Sequence, residues 1–159
     1  MVLVREIKAD EWELMRDVRL TALAEAPDAF GSSYAREVDF TEAQWRGRTS
    51  DRSVTFLAYG AADPTPAGLA GVYAADAAAD LVSMWVRPSA RGLGVGEALV
   101  SAAVSWAKTR SFDRLFLWVT EANAPARRLY ERCGFTPTGE RQPLPSNPAL
   151  PEIRMSRAL

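Results

Sequence analysis

The stretch RPSARGLGVGEALV, residues 87–100, decides the interpretation of this chain. Gly92, Gly94 and Gly96 alternate with larger residues between the apolar run LVSMWV and a helix-like segment. Glycine loses more conformational freedom on folding than any other residue, so three in one turn predict a close approach to this backbone. A helix that starts inside the run leaves its first N–H groups without internal partners, at the positive end of the helix dipole. These features predict a phosphate site, with Arg91 at its rim.

The spacing of the glycines excludes the two common nucleotide cradles. A P-loop requires Gly-Lys-Ser/Thr, but Gly96 is followed by Glu97. The dinucleotide-binding fingerprint needs its third glycine at the position of Glu97. That fingerprint also follows the first strand of its domain, whereas this loop follows about the fourth predicted strand. A turn that served only chain reversal would need one or two glycines, so three favour a phosphate cradle of another kind.

Hydrophobic periodicity predicts the other elements. Strands are expected at six places: 2–7, 53–59, 69–74, 81–86, 115–120 and 152–159. Helices are expected at four places: from a capping box at Asp10 and Glu13 to Pro27, from a capping box at Thr41 and Gln44 through Trp45, over 94–110, and over 123–133 with a Schellman end at Gly134. Loops are expected at 28–40 and 142–151.

This order predicts a mixed α/β sheet. Three consecutive strands form a hairpin meander, and a strand–helix–strand unit then makes a right-handed parallel crossover. No internal repeat, linker or low-complexity tract divides the chain, and 159 residues suit one core. We therefore expect a single domain over residues 1–159.

Composition excludes several classes of protein. The net charge is −1, from 19 basic and 20 acidic residues, so no basic face for nucleic acid is expected. No apolar run reaches the ~18 residues of a membrane span, and the N-terminus is charged by its fifth residue, unlike a signal peptide. With Cys133 as the single cysteine, no internal disulfide is available, and a soluble cytoplasmic chain is expected.

The chain contains no histidine. Ser-His-Asp and Cys-His catalysis are therefore excluded, and with one cysteine no zinc site or other metal is expected. Any general base must be a carboxylate, a tyrosine or a chain of water molecules.

Two motifs together resemble the GNAT N-acetyltransferase superfamily. Arg91, Gly94 and Gly96 meet the pattern Arg/Gln-x-x-Gly-x-Gly/Ala of that family's coenzyme A pyrophosphate loop. The segment NAPARRLYERCGF, residues 123–135, is similar to its second signature: Asn, then Ala three residues on, Tyr seven on, and Gly-Phe at the end. The resemblance is closest over residues 53–135, and the predicted order of elements agrees with the family's fold.

The resemblance implies about six to seven strands with a V-shaped splay, about four helices, and acetyl-CoA between strands 81–86 and 115–120. The backbone of Met84, Trp85 and Val86 would bind the pantetheine arm and the acetyl carbonyl like a missing strand. Asn123 would reach the pantetheine or cap its helix. The N–H groups of one loop would hold the pyrophosphate: Gly92, Leu93, Gly94, Val95, Gly96 and Glu97.

Tyr130 stands where the family places its general acid. It lies on the apolar stripe of its helix, which agrees with a buried ring whose hydroxyl seeks a partner; a packing role is the alternative. The glutamate base of one branch of the family, five residues before Asn123, is replaced here by Trp118. The base therefore stays open among Glu37, Asp80 and Glu121, or a water relayed past Ser83.

The implied activity is transfer of an acetyl group from acetyl-CoA to a primary amine of a small molecule or peptide by direct attack. The acceptor pocket is expected around Phe30, Ser33, Glu37, Trp85 and the 143–151 loop, where aromatic rings form an apolar wall and a carboxylate attracts a cationic amine. A catalytically silent CoA-binding sensor of the same fold and a nucleotide-dependent oxidoreductase stay open as alternatives. Homodimers are frequent in the family, and that assembly stays open for this chain.

Overall fold

The computed structural model describes all 159 residues and contains one seven-stranded sheet in the order β1-β2-β3-β4-β5-β7-β6. Its strands are β1 (Leu3–Glu6), β2 (Ser53–Tyr59), β3 (Gly68–Ala75), β4 (Ala78–Val86), β5 (Arg114–Thr120), β6 (Thr136–Leu144) and β7 (Asn147–Ala158). All neighbouring strands are antiparallel except β4 and β5, which are parallel. The predicted mixed α/β sheet with a parallel crossover is confirmed.

Five α-helices accompany the sheet: α1 (Trp12–Glu25), α2 (Tyr34–Glu37), α3 (Glu42–Arg46), α4 (Val95–Thr109) and α5 (Ala124–Arg132). Short 3-10 turns at Ala9–Glu11 and Pro27–Ala29 flank α1, and a third at Pro88–Ala90 leads from β4 towards α4. None of the helices combines the length and the apolar character that crossing a membrane requires.

The prediction of a loop at 142–151 was wrong. Residues 136–144 form β6, and β7 already begins at Asn147, so the two make a hairpin. Pro137 and Pro143 interrupt the pattern that the sequence interpretation relied on. Proline is tolerated in β6 because this is the edge strand of the sheet. The expected loop at 28–40 likewise contains α2, which Ser33 caps by accepting a hydrogen bond from the N–H of Arg36 at 3.2 Å.

The predicted start of α1 also needs correction. A 3-10 turn precedes the helix, and the N–H of Lys8 donates to the carboxylate of Glu11 at 3.0 Å. Glu11 therefore satisfies the turn, α1 begins at Trp12, and its start has no side-chain cap from Asp10. The capping box of α3 is confirmed, because the N–H of Gln44 donates to Thr41 Oγ1 and the N–H of Thr41 to Gln44 Oε1.

The end of α5 follows the predicted Schellman motif. Gly134 adopts a φ of +90°, and its N–H donates to the carbonyl of Glu131 at 3.0 Å. The N–H of Phe135 donates to the carbonyl of Tyr130, and the two rings meet edge to face with centroids 5.9 Å apart. This arrangement fixes the orientation of Tyr130 at the last turn of the helix.

The core has one layer on each face of the sheet. The larger one contains α4, whose predicted apolar stripe is buried throughout: Leu99, Val100, Ala103, Val104 and Ala107. The smaller one packs α1 and Trp45 of α3 against Leu57, Leu69 and Trp85. β4 is therefore held from both faces.

Candidate active site

β4 and β5 separate after three paired residues on each strand. Residues 79–81 pair with 115–117, and beyond them the two strands have no partner across the gap. We call this gap the wedge. A cavity of about 850 Å³ occupies it, bordered by both strands, the start of α4 and one face of α5. The predicted V-shaped splay is confirmed.

The open edge of β4 presents backbone groups to the wedge. The N–H of Arg87 donates to the carbonyl of Ala67 at 2.7 Å, on the β3 side. Because successive residues of a strand direct their N–H and C=O groups to opposite edges, those of Val86 and Met84 face the wedge. The carbonyl of Val86 there accepts a hydrogen bond from Arg91 Nε at 3.0 Å. This edge can bind an extended ligand as it would an additional strand.

Ser83 lies at a bulge of β4 that borders the cavity. The register with β3 shifts between Leu69 and Gly71, which leaves one extra residue on β4. Ser83 adopts a φ of +60°, which non-glycine residues rarely do. Its Oγ accepts a hydrogen bond from Arg19 Nη1 at 2.6 Å. Because a guanidinium only donates, the hydroxyl proton of Ser83 is left available to a group in the cavity.

Arg19 is a buried cation that the sequence interpretation missed. It donates from two nitrogens to the two oxygens of Glu37, each at 3.1 Å, and Arg48 donates to the same carboxylate at 2.7 Å. Burial alone would raise the pKa of Glu37, but the hydrogen bonds and charges of the two arginines hold the pKa below its usual range. A signal was present: Arg19 lies on the apolar stripe from Met15 to Ala22, where a charged residue requires a buried partner.

The glycine loop combines positive backbone angles with open space. Gly92 and Gly94 have φ values of +78° and +85°, and a Cβ built on either would meet no atom within 4 Å. The first hydrogen bond of α4 runs from the N–H of Ala98 to the carbonyl of Gly94, so the N–H groups of residues 95–97 precede it and have no partner within the helix. Residues 92 and 94–97 line the cavity, whereas Leu93 is 68% exposed and does not.

Gly96 lacks a side chain for a different structural reason than Gly92 and Gly94. A Cβ on Gly96 would lie 2.8 Å from Leu129 Cδ2, so the missing side chain lets α4 and α5 approach each other. The expectation that all three glycines clear space for a ligand is therefore corrected at this position. Gly92 and Gly94 shape the loop, and Gly96 serves helix packing beside it.

Each carboxylate at the loop is matched by an arginine. Glu25, at the end of α1, accepts hydrogen bonds from Arg91 Nη2 at 3.0 and 3.1 Å and from Trp85 Nε1 at 2.7 Å. Glu97 accepts one from Arg132 at 2.9 Å, which holds the pKa of that carboxyl below its usual range. An anion at the start of α4 therefore meets no unpaired negative charge. No sequence pattern indicated Glu25 or Arg132, since both pairs join distant segments.

Tyr130 borders the same cavity from α5. It is 6% exposed, and burial raises the pKa of its phenol. No protein group hydrogen-bonds its hydroxyl, so the proton is available to a ligand. Asn123 also lines the cavity and caps α5, its Oδ1 accepting from the N–H of Ala126 at 3.3 Å.

None of the three expected base candidates lines the cavity. Glu37 is 1% exposed and fully engaged by its two arginines. Asp80 accepts a hydrogen bond from Arg154 at 3.1 Å, and Glu121 accepts two from Arg141, at 2.7 and 3.1 Å. All three carboxylates are thus hydrogen-bonded to guanidinium groups, and none of them reaches the cavity.

Of the expected acceptor-pocket residues, only Trp85 lines the cavity. Phe30 is buried, and its ring lies 4.8 Å from the guanidinium carbon of Arg19. Ser33 serves as the cap of α2. Phe30 and the 143–151 segment do meet, because Ser146 Oγ donates to the carbonyl of Phe30 at 2.5 Å. An acceptor role for Phe30, Ser33 and Glu37 stays a prediction.

Residues 15–135 match the profile of the acetyltransferase (GNAT) family, which is most of the chain. The chain belongs to the GNAT family. A mycothiol acetyltransferase from Thermobispora bispora is 47% identical over 51 residues, which are 32% of this GNAT chain and 17% of the relative. A streptothricin acetyltransferase from Streptomyces lavendulae is 41% identical over 85 residues, 52% of this chain and 44% of the relative. This GNAT chain thus spans less than half of either relative.

The fold of this GNAT protein is also that of a solved relative. The crystal structure of spermidine N-acetyltransferase from Vibrio cholerae, in complex with CoA and spermine, superimposes with a TM-score of 0.77. The match covers 99% of this chain and 95% of that one at 16% identity. At that identity the likeness shows the shared fold.

Proposed function

We propose that this GNAT protein is an acetyl-CoA-dependent N-acetyltransferase that moves an acetyl group to a primary amine of a small molecule or peptide by direct attack. One observation carries the proposal: the first-turn N–H groups of α4, the open edge of β4 and the hydroxyl of Tyr130 border a single cavity. Anion donors, a strand-like edge and a phenol are what a CoA thioester needs for its diphosphate, its amide-bearing arm and its sulfur.

The loop fits a diphosphate on chemical grounds. Its N–H groups lie at the positive end of α4, and the backbone is uncovered at Gly92 and Gly94. Arg91 lies at the rim, and the nearby carboxylates of Glu25 and Glu97 are neutralised by arginines. The N–H groups of β4 that face the wedge would stabilise the carbonyl oxygen as it gains negative charge.

Tyr130 is the proposed general acid. With its pKa raised by burial, the phenol is protonated at neutral pH and can donate a hydrogen bond to the departing sulfur. A thiol has a pKa of about 8.5, well below that of a phenol, so stabilisation of the thiolate precedes full proton transfer. The proton that the attacking nitrogen loses as the C–N bond forms replaces the one that Tyr130 gives up.

The acceptor is proposed only as a class. The two relatives reported above are named for mycothiol and streptothricin, and each is matched over a part of its length. A primary amine of Lys type has a pKa of about 10.4, so it binds largely as an ammonium and must lose a proton before attack.

Release of free thiol from acetyl-CoA tests the proposal. The acceptors are a peptide with a free N-terminus, a polyamine, an amino sugar and an amino acid, each compared with acetyl-CoA alone. At least one amine is expected to raise thiol release above the background, with the N-acetyl product confirmed by mass spectrometry. Tight binding of acetyl-CoA without turnover on any amine would instead indicate a CoA-binding sensor, and a thermal shift with NAD but not acetyl-CoA would contradict both.

A further inference from the structure

We propose that Glu152 on β7 is the general base, accepting the proton of the acceptor ammonium through one water molecule. The inference rests on the N-acetyltransferase function proposed above. It names a residue that none of the sequence patterns indicated.

Glu152 lies beside the cavity wall, although, like the three candidates considered above, it does not itself line the cavity. β5 and β7 are antiparallel, with Thr120 directly opposite Glu152. Side chains of such a pair project from the same face, with Cβ atoms about 5 Å apart. Thr120 lines the cavity, and its Oγ1 donates to the carbonyl of Asp28 at 2.7 Å. Glu152 is therefore on the face of the sheet away from α4, one side chain from the wedge.

Glu152 is a buried carboxylate without a cationic partner. It is 6% exposed, and its one hydrogen bond comes from Gln142 Nε2 at 2.6 Å. Arg154 lies two residues along the same face, but it donates to Asp80 and stacks over Trp118. A buried charge without a partner is unfavourable, so a carboxylate at this position calls for a functional explanation.

Five other carboxylates in or near the wedge are each hydrogen-bonded to at least one arginine: Glu25, Glu37, Asp80, Glu97 and Glu121. Asp28, beside Thr120, has no arginine partner, but it is exposed and accepts a hydrogen bond from Asn147 Nδ2 at 3.4 Å. Since the chain has no histidine and Tyr130 serves as the acid, Glu152 is the buried carboxylate near the wedge that is free to take a proton.

Protons and bonds balance in the proposed step. The carboxylate of Glu152 takes one proton from the ammonium through the water, which leaves a neutral amine with its lone pair. The nitrogen forms a bond to the thioester carbon, and the C–S bond breaks. The second proton of the nitrogen replaces the one that Tyr130 gives to the sulfur. The proton held by Glu152 then passes to solvent, so the products are the amide, the thiol and one proton.

Glu152→Gln tests the proposal, with Glu140→Gln on the neighbouring β6 as the matched control. Glu140 has a side chain that is 63% exposed and that lies 3.8 Å from Arg154 Nε, so its variant removes the same charge from the same hairpin and loses only this long, exposed ion pair. With the panel amine that the wild type acetylates fastest, Glu152→Gln is expected to lower kcat/KM about 10²–10⁴-fold at neutral pH. Acetyl-CoA binding should stay within error of the control, and the melting temperature should equal or exceed that of the control, since the variant removes a buried charge without a cationic partner.

The pH profile separates a base from a structural residue. With Glu152→Gln, kcat/KM should rise about tenfold per pH unit up to the pKa of the amine, as hydroxide replaces the base, whereas the wild type levels off earlier. The elements around Glu152 carry the charged residues Arg154 on β7, Glu140 on β6 and Asp28 beside Thr120, and all three remain in the variant. Glu152→Asp should recover part of the activity.

Three results would overturn the proposal. A folded Glu152→Gln variant whose kcat/KM matches that of the control would show that no base is needed at this position. A loss of activity that is equal at every pH and is not relieved by Glu152→Asp would show a structural role. If the wild type binds acetyl-CoA but acetylates no amine, the N-acetyltransferase function fails first.

Discussion

Gly68→Ala tests whether the edge of β4 depends on the close approach of β3. Gly68 is buried and pairs with Val86. A Cβ at this position would lie 2.5 Å from the carbonyl oxygen of Trp85, 3.2 Å from Leu99 Cδ1 and 3.3 Å from the Cα of Val86. Two of these atoms belong to the backbone of β4, which cannot rotate away as a side chain can. Alanine therefore forces the two strands apart where β4 borders the wedge.

Two opposing effects set the change in stability. Overpacking costs about 1–3 kcal/mol, and replacing glycine by alanine returns about 0.4–1 kcal/mol by restricting the unfolded chain. The backbone clash outweighs the gain, so we expect a net loss of about 1–2 kcal/mol in the free energy of unfolding and a Tm lower by about 2–8 °C. The KM for acetyl-CoA should rise as well, because Trp85 and Val86 shift with the strand.

Urea unfolding and thermal melting followed by circular dichroism measure this effect. Gly60→Ala is the control, since a Cβ there meets nothing within 4 Å and the residue has no positive φ. It should be neutral or stabilised by up to about 1 kcal/mol. If Gly68→Ala unfolds at the same urea concentration as Gly60→Ala and retains its KM, the argument from close approach is wrong.

Three further predictions concern the loop, the acid and the buried ion pairs. Tyr130→Phe should lower kcat about 10²-fold or more with little change in Tm or acetyl-CoA binding; unchanged kcat would remove the acid role. Gly94→Ala places a Cβ on a residue in the left-handed region, which costs about 1–2 kcal/mol. The free loop can relax to avoid this strain, but the loop that binds acetyl-CoA cannot, so calorimetry should show binding weakened by about 5–30-fold. Equal affinity would count against binding by this loop. Glu37→Gln leaves Arg19 and Arg48 facing each other in the core and should cost about 3–5 kcal/mol, measured by urea unfolding at neutral pH. Because the pKa of Glu37 is lowered in the folded state, its contribution to the free energy of unfolding is complete above the unfolded pKa of about 4.3 and is lost as the pH falls through the folded pKa. The variant should lack this acid-induced loss of stability. If the stability of the variant and of the wild type changes in parallel with pH, the assignment is wrong.

Local patterns predicted the central elements of the fold well. The stripe of α4 and the Schellman end of α5 each follow from residues close in sequence, whereas the splay of β4 from β5 was expected only from the resemblance to the GNAT family. β6 was missed because its signal is weak: most of its residues are exposed, and it contains Pro137 and Pro143, which an edge strand tolerates. The start of α1 was misplaced because Asp10–Glu13 and Lys8–Glu11 offer competing caps only two residues apart.

One part of the candidate site was likewise predictable from local sequence, and another part was not. The loop from Gly92 to Glu97 was predictable because one short segment forms the helix start and its N–H cluster. The pairing of Arg19 with Glu37 and Ser83 was not, since it joins α1, α2 and the bulge of β4. The position of Glu152 also depends on the β5–β7 register, which places it opposite Thr120 although nothing in its own segment marks it.

Amide chemical shifts test the central claim most directly. In a titration of ¹⁵N-labelled protein with CoA, the account predicts the largest changes at the N–H groups of residues 92–97 and at Met84 and Val86, with smaller ones on β1 and β6. Saturable binding that leaves the signals of residues 92–97 in place, while other amides move, would contradict the claim that the start of α4 holds the diphosphate.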